Sequence, residues 1–132
     1  MKYIDVVAGV IFNSTRTEVL VALRKPEQHQ GDRWEFPGGK LEEGETAQTG
    51  LVRELQEEIG ITATEFSHRT DIDHRYEDKH VRLHFWDVTA FTGTPRGVEG
   101  QELRWATLAQ LASLQFPDAN RAIVDELCGL HN

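Results

Sequence analysis

The segment YIDVVAGVIF, residues 3–12, restricts the fold more than any other stretch of the chain. Its β-branched and aliphatic residues read as a strand. Alternation sends Val6, Ala8, Val10 and Phe12 to one side and Val7, Gly9 and Ile11 to the other. Both sides are apolar, so this strand must run through the middle of a sheet and be covered on both faces. With 132 residues in all, the chain has enough length for one domain, residues 1–132, and too little for two ordinary ones.

The remaining segments supply the cover. EVLVAL (18–23) follows the turn-forming NSTRT, and the pair predicts a β-hairpin with the first strand. RKPEQHQGDR reads as a polar loop, and WEF as a short strand stopped by PGG. From Thr46 to Ile59 the pattern turns helical, with Gly60 ending it as C′. Strand-like segments follow at 64–76, 80–91 and 102–108, then a short helix in LAQLASL. PDANRAIVDELCGL reads as a terminal helix with Ala122, Ile123, Leu127 and Leu130 facing inward. Strands interspersed with few helices, without regular βα alternation, predict an α/β fold with a mixed sheet between helices.

Composition narrows the function. The net charge of −8 argues against a nucleic-acid polymer as partner, because that affinity rests on Lys and Arg at phosphates. A small phosphorylated ligand is still allowed, provided cations stand between it and the acidic groups. The apolar opening is interrupted by Asp5 and is far too short to span a bilayer. It also lacks a basic start followed by a small-residue cleavage pattern, so it does not read as a signal peptide. One cysteine, Cys128, rules out an intrachain disulfide and fits a reducing, cytoplasmic setting.

The predicted helix holds an oddity. Leu51, Val52, Leu55 and Ile59 form an ordinary core stripe, while Glu54, Glu57 and Glu58 crowd a sector beside it. Close like-charged pairs on a helix cost roughly 0.2–0.5 kcal/mol each. Gly50 falls in the same sector and is expected to leave room for a ligand. A solvated acidic face is the commonest use of such residues. Here, however, Arg53 is the only base between Glu42 and Glu58, LEEGE adds further acid upstream, and PGGK brings two glycines nearby. Clustered carboxylates beside accessible backbone carbonyls are what Mg²⁺ or Mn²⁺ requires, with open positions left for water and phosphate. The repulsion becomes useful once a divalent cation cancels it.

GKLEEGETAQTGLVRELQEEIGI (39–61) resembles the Nudix box, G-x5-E-x7-R-E-U-x-E-E-x-G-U with U apolar. Gly39, Glu45, Arg53, Glu54, Leu55, Glu57, Glu58, Gly60 and Ile61 fill every fixed position. VAGVIFN, WEFPGGK and FPDAN extend the likeness to the MutT branch, whose members remove oxidised guanine nucleotides. The resemblance implies an α/β/α sandwich with a central mixed sheet, and a monomer that hydrolyses a nucleoside triphosphate to monophosphate and pyrophosphate. It implies Glu54, Glu57, Glu58 and the Gly38 carbonyl as ligands of Mg²⁺ (Mn²⁺ substituting), with Glu99 completing the set and Glu45 and Arg53 supporting the loop–helix geometry.

For the substrate, the same resemblance implies Arg24, His29, Phe36, Lys79 and Asn120 around the nucleotide. Asn120 would accept the N7–H that 8-oxoguanine has and guanine lacks; its other reading is a cap on the terminal helix. Lys79 stands where the MutT pattern carries arginine, and Asp118 replaces a proline. Both changes bear on base preference, for example toward cytidine nucleotides. A non-catalytic nucleotide sensor is the alternative of another class, and retention of all the glutamates argues against it. Histidines 68, 74, 80 and 84 show no metal-ligand spacing, and HVRLHFW reads as an alternating strand.

Overall fold

The computed structural model describes residues 3–27 and 32–131, the side chains of residues 130 and 131 excepted. Its first strand, β1 (Tyr3–Ile11), is followed by β2 (Glu18–Leu23), β3 (Trp34–Glu35), β4 (Gly38–Lys40), helix α1 (Ala47–Ile59), β5 (Thr62–Arg75), β6 (His80–Thr92) and β7 (Leu103–Thr107). Two 3₁₀ turns, Gln110–Ser113 and Asp118–Asn120, precede the last helix, α2 (Arg121–His131).

Strand β1 is central, as its two apolar faces require. It pairs in parallel with β6 on one edge and antiparallel with β4 on the other, and β5 extends the sheet to the order β4-β1-β6-β5. One face, with Val7 and Ile11, packs on Leu51, Leu55 and Ile59 of α1. The opposite face, with Ala8, Val10 and Phe85, packs with Ile123, Val124 and Leu127 of α2. This is the expected α/β/α sandwich.

The hairpin expected between β1 and β2 does not form. Strand β2 lies in a second sheet, β3-β2-β7, and meets the first strand's continuation only through the bridge Phe12↔Val19. A strand has two edges, and β4 and β6 already occupy both edges of β1. The NSTRT turn carries the chain from one sheet to the next. Asn13 Oδ1 accepts from the backbone N–H groups of Thr17 and Glu18 at 2.9 and 3.1 Å.

The short strand expected in WEF forms as Trp34–Glu35 and ends before Pro37, and Gly38–Lys40 then starts a separate strand in the other sheet, registered against Val6–Ala8. One further expectation needs correction. On α2 the inward stripe includes Val124 rather than Ala122, which is exposed. The buried positions Asn120, Ile123, Val124 and Leu127 keep i, i+3, i+4, i+7 spacing. The core stripe of α2 therefore begins one residue before the helix, and Asn120 is drawn inside with it.

Candidate functional site

Helix α1 is fixed at both ends by its own sequence. Thr46 caps the start, its hydroxyl accepting from Thr49 N–H at 3.2 Å. Gly60 closes the end in the left-handed region, φ 71°, and its N–H bonds back to Gln56 at 3.1 Å. Between these caps Leu51, Leu55 and Ile59 are wholly buried, which sets the helix's rotation. Glu54 and Glu58 are left partly buried at the margin of the core, and Glu57 further out is exposed.

Arg53 makes more contacts than helix spacing suggests. Its Nε and Nη2 donate to the two oxygens of Glu45 at 2.7 and 2.8 Å, a bidentate pair. Nη1 reaches Glu54 at 2.9 Å and Glu57 at 3.1 Å, and Nη2 also reaches the Lys40 carbonyl at 3.1 Å. Glu45 in turn accepts from Glu42 N–H at 2.9 Å, and its carboxyl is held down to a pKa of about 2, chiefly by Arg53. One guanidinium thus joins the acidic loop, β4 and two of the three clustered helix glutamates.

Strand β4 brings backbone to the same carboxylates. The Pro37 carbonyl and Leu41 N–H bond to β1, through Gly9 N–H at 2.8 Å and the Asp5 carbonyl at 2.9 Å. In an antiparallel ladder the intervening Gly38 then points its polar groups away from β1. Gly38 N–H indeed donates to Glu58 Oε2 at 3.0 Å. Both adjacent positions are tightly approached, Gly38 by backbone and Gly39 by the end of a side chain. A side chain on Gly38 would collide with the Val7 carbonyl, and one on Gly39 with the Glu54 carboxylate. Gly50 serves differently from expectation: a Cβ there would strike Leu41 and approach Glu45, so its bareness seats the loop rather than a ligand.

The fourth carboxylate arrives from the loop between β6 and β7. Glu99 lines the same cavity as Glu54, Glu57, Glu58, Gly38 and Gly39. Burial, reinforced by the charges of Glu35, Glu54 and Glu99, pushes the Glu58 carboxyl up to about 8 against the pull of Gly38 N–H. Burial likewise raises Glu54 and Glu35. The carboxylates surround a common space, but no three acidic, His or Cys side chains close on one point among the described residues.

This donor set suits a hard divalent cation. It offers carboxylate and carbonyl oxygens, lies beside a glycine cradle that any side chain would fill, and leaves coordination positions for water and phosphate. Glu54, Glu57, Glu58, Glu99 and the Gly38 carbonyl are the groups able to hold it.

The cavity, about 600 Å³, is lined by more than carboxylates. Ile4, Val6, Val81, Leu83, Pro117 and Ala119 give it an apolar wall, and Asn120, also on its lining, is the one buried polar side chain among the described residues. Arg24, Phe36 and Lys79 line the cavity. Phe36 lines the cavity and also stacks on Phe116 at 5.4 Å in the core. His29 lies outside the described residues. Asp118 is exposed and does not line the cavity, although its charge helps to raise the Tyr76 hydroxyl.

Sequence reasoning missed Glu35, Tyr76 and Gln101, all of which line the cavity. Glu35 accepts from Arg24 at 2.5 Å on the cavity wall. A lone acid between two aromatics in WEF was its available signal. Tyr76 sits where the β5–β6 hairpin turns, its N–H bonded to the Lys79 carbonyl at 2.8 Å, and nothing local distinguishes it.

Comparison with known proteins agrees with this geometry. Residues 7–126 match the NUDIX domain model. The chain is 39% identical over 127 residues to an 8-oxo-dGTP diphosphatase of Escherichia coli, spanning 96% of this chain and 98% of that one. It is 38% identical over 117 residues to a CTP pyrophosphohydrolase of the same organism, 89% and 84% of the two chains. A solved MutT structure, from work on the Aliivibrio salmonicida and Vibrio cholerae proteins, superposes with a TM-score of 0.86 at 42% identity, covering 98% of this chain and 99% of that one. A filled Nudix box, a cavity that gathers its glutamates and a family match over most of its length together assign the chain to the NUDIX domain family.

Proposed function

We propose that this protein is a Mg²⁺-dependent nucleoside triphosphate diphosphohydrolase that converts 8-oxo-dGTP to the monophosphate and pyrophosphate. The observation carrying this reading is the lining of one cavity, where clustered glutamates share a continuous space with an apolar wall and a buried Asn120. A nucleotide combines the same two characters in its phosphates and its base, and the similarity to 8-oxo-dGTP diphosphatases supports the match.

Bound Mg²⁺, or Mn²⁺ in its place, would supply charge neutralisation and an acidified water at the phosphates. The chain's own groups do the rest. Glu54, Glu57, Glu58, Glu99 and the Gly38 carbonyl hold the cations. Arg53 and Glu45 keep the ligand-bearing helix and its loop in register. Arg24, His29, Phe36 and Lys79 surround the nucleotide. The Asn120 carboxamide oxygen accepts the N7–H of the oxidised base, so unoxidised guanine would leave a buried acceptor facing an acceptor. On this reading residues 1–132 act as one domain, a cytoplasmic monomer with a diffusible substrate. No described helix is long and apolar enough to cross a membrane.

A second reading, a CTP-type pyrophosphohydrolase, has Lys79 on the cavity wall in its favour together with the similarity to a CTP pyrophosphohydrolase. Competition among 8-oxo-dGTP, dGTP, CTP and 5-methyl-dCTP, with product identification, separates the two. A large kcat/KM preference for 8-oxo-dGTP over dGTP is expected, and parity between them removes the sanitising role. Release of diphosphate and phosphate would refute the mechanism. Turnover of none of the four would favour a sensor.

A further inference from the structure

The loop that carries Glu99 has no apolar anchor. None of residues 93–102 belongs to the buried core, and Val98 is 46% exposed. Its position therefore rests on polar ties, and those flanking Glu99 lead to the last turn of α1. Arg96 N–H donates to the Ile59 carbonyl at 3.0 Å, and Val98 N–H to the Glu58 carbonyl at 3.1 Å. These carbonyls have no partner within the helix and are free to accept.

Gln101 adds the tie that reaches Glu99 itself. Its Nε2 donates to the Glu58 carbonyl at 3.1 Å, while its Oε1 accepts from Glu99 N–H at 2.9 Å. The two partners dictate the amide's orientation: a carbonyl needs the NH₂ and an N–H needs the oxygen. The loop is folded closely around this residue. Gly100 N–H bonds to the Gly97 carbonyl at 3.0 Å, and a side chain on Gly97 would overlap the Gln101 backbone carbonyl.

We propose that Gln101 is the positioning residue for Glu99: its carboxamide couples the backbone of Glu99 to that of Glu58, so that a loop carboxylate and a helix carboxylate keep fixed separation around the cation. The inference rests on the reading of Glu99 as part of the cation cluster. It gives the loop a defined geometric role in metal binding that neither charge nor motif spacing reveals.

The test compares Gln101→Met, which keeps length and loses both bonds, with Glu99→Gln and the double variant. Mn²⁺ affinity is measured by electron paramagnetic resonance without nucleotide, and exchange of the Glu99 amide by hydrogen–deuterium NMR. Gln101→Met should weaken Mn²⁺ binding about tenfold, the scale of losing a group that orients a ligand. It should also accelerate exchange at Glu99, and leave metal affinity unchanged when added to Glu99→Gln. Gln101→Glu, which retains the acceptor for Glu99 N–H, should keep that amide slower to exchange than Gln101→Met does. Unchanged affinity and exchange in Gln101→Met would overturn the proposal, as would an equal loss of affinity in the Glu99→Gln background. If Glu99→Gln alone leaves Mn²⁺ affinity and turnover intact, the assignment of Glu99 fails and this inference falls with it. If Glu99→Gln is impaired and Gln101→Met is not, only the positioning role is lost.

Discussion

Gly39→Ala is the substitution that best separates the site from the fold. A Cβ built on Gly39 lies 2.5 Å from Glu54 Cδ and 2.8 Å from Oε1, where ordinary contact begins at 3.4 Å. The obstacle is the far end of a flexible side chain, so the carboxylate can retreat by about an ångström while the backbone stays put. Stability should change little, because no core atom moves. Ligation is less forgiving, since metal–oxygen distances tolerate only about ±0.2 Å. A misplacement of about 1 Å at a reacting centre costs on the order of 10²-fold in rate, about 2.7 kcal/mol of barrier. Steady-state kinetics at saturating Mg²⁺ should therefore show kcat/KM reduced about a hundredfold, with the melting temperature in EDTA nearly unchanged. Gly38→Ala provides the contrast: its Cβ would meet the Val7 carbonyl and Ala8 Cα, backbone atoms of the central strand. That variant should lose stability as well as activity. Near-normal turnover by Gly39→Ala would refute the placement of Glu54 as a ligand held in a glycine cradle.

Two other outcomes follow from the electrostatics. In the metal-free protein Glu58 titrates near 8 rather than its ordinary 4.5, so the native state retains a proton that the unfolded chain releases. That contribution to stability is complete below 4.5 and disappears as pH rises through 8. Melting in EDTA should therefore decline between pH 6 and 8, and millimolar Mg²⁺ should raise the melting temperature most at the alkaline end. A metal-free melting temperature that climbs across this window would count against the buried carboxyl. Arg53→Lys retains the charge and loses the fork that spans Glu45, Glu54 and Glu57. It should reduce kcat/KM by roughly tenfold or more, and a wild-type rate would show that the network is dispensable.

What could be read beforehand followed from short-range rules. Two apolar faces made β1 central. Thr46, Gly60 and the leucine stripe defined α1, and helical periodicity alone put Glu54, Glu57 and Glu58 in one sector. The Nudix spacing then supplied a chemistry for that sector, and the cavity does collect those glutamates with Gly38 and Glu99. The places where the reading failed are equally informative. Proximity in sequence suggested that β1 and β2 pair, yet the edges of β1 were taken by β4 and β6, partners some thirty and eighty residues away along the chain. Gly50 lay in the acidic sector by angle, but Leu41, brought back by the loop, occupies the space beside it.

The sequence by itself determined which residues carry charge, which face of α1 is buried and where that helix begins and ends, because these depend on neighbours within a turn or two. Only the tertiary structure decided that Glu35 joins the glutamates on the cavity wall, that burial raises Glu58, and that Gln101 ties Glu99 to the helix end. Each of these depends on segments brought together across the chain, where desolvation and hydrogen-bond geometry arise from packing and not from spacing.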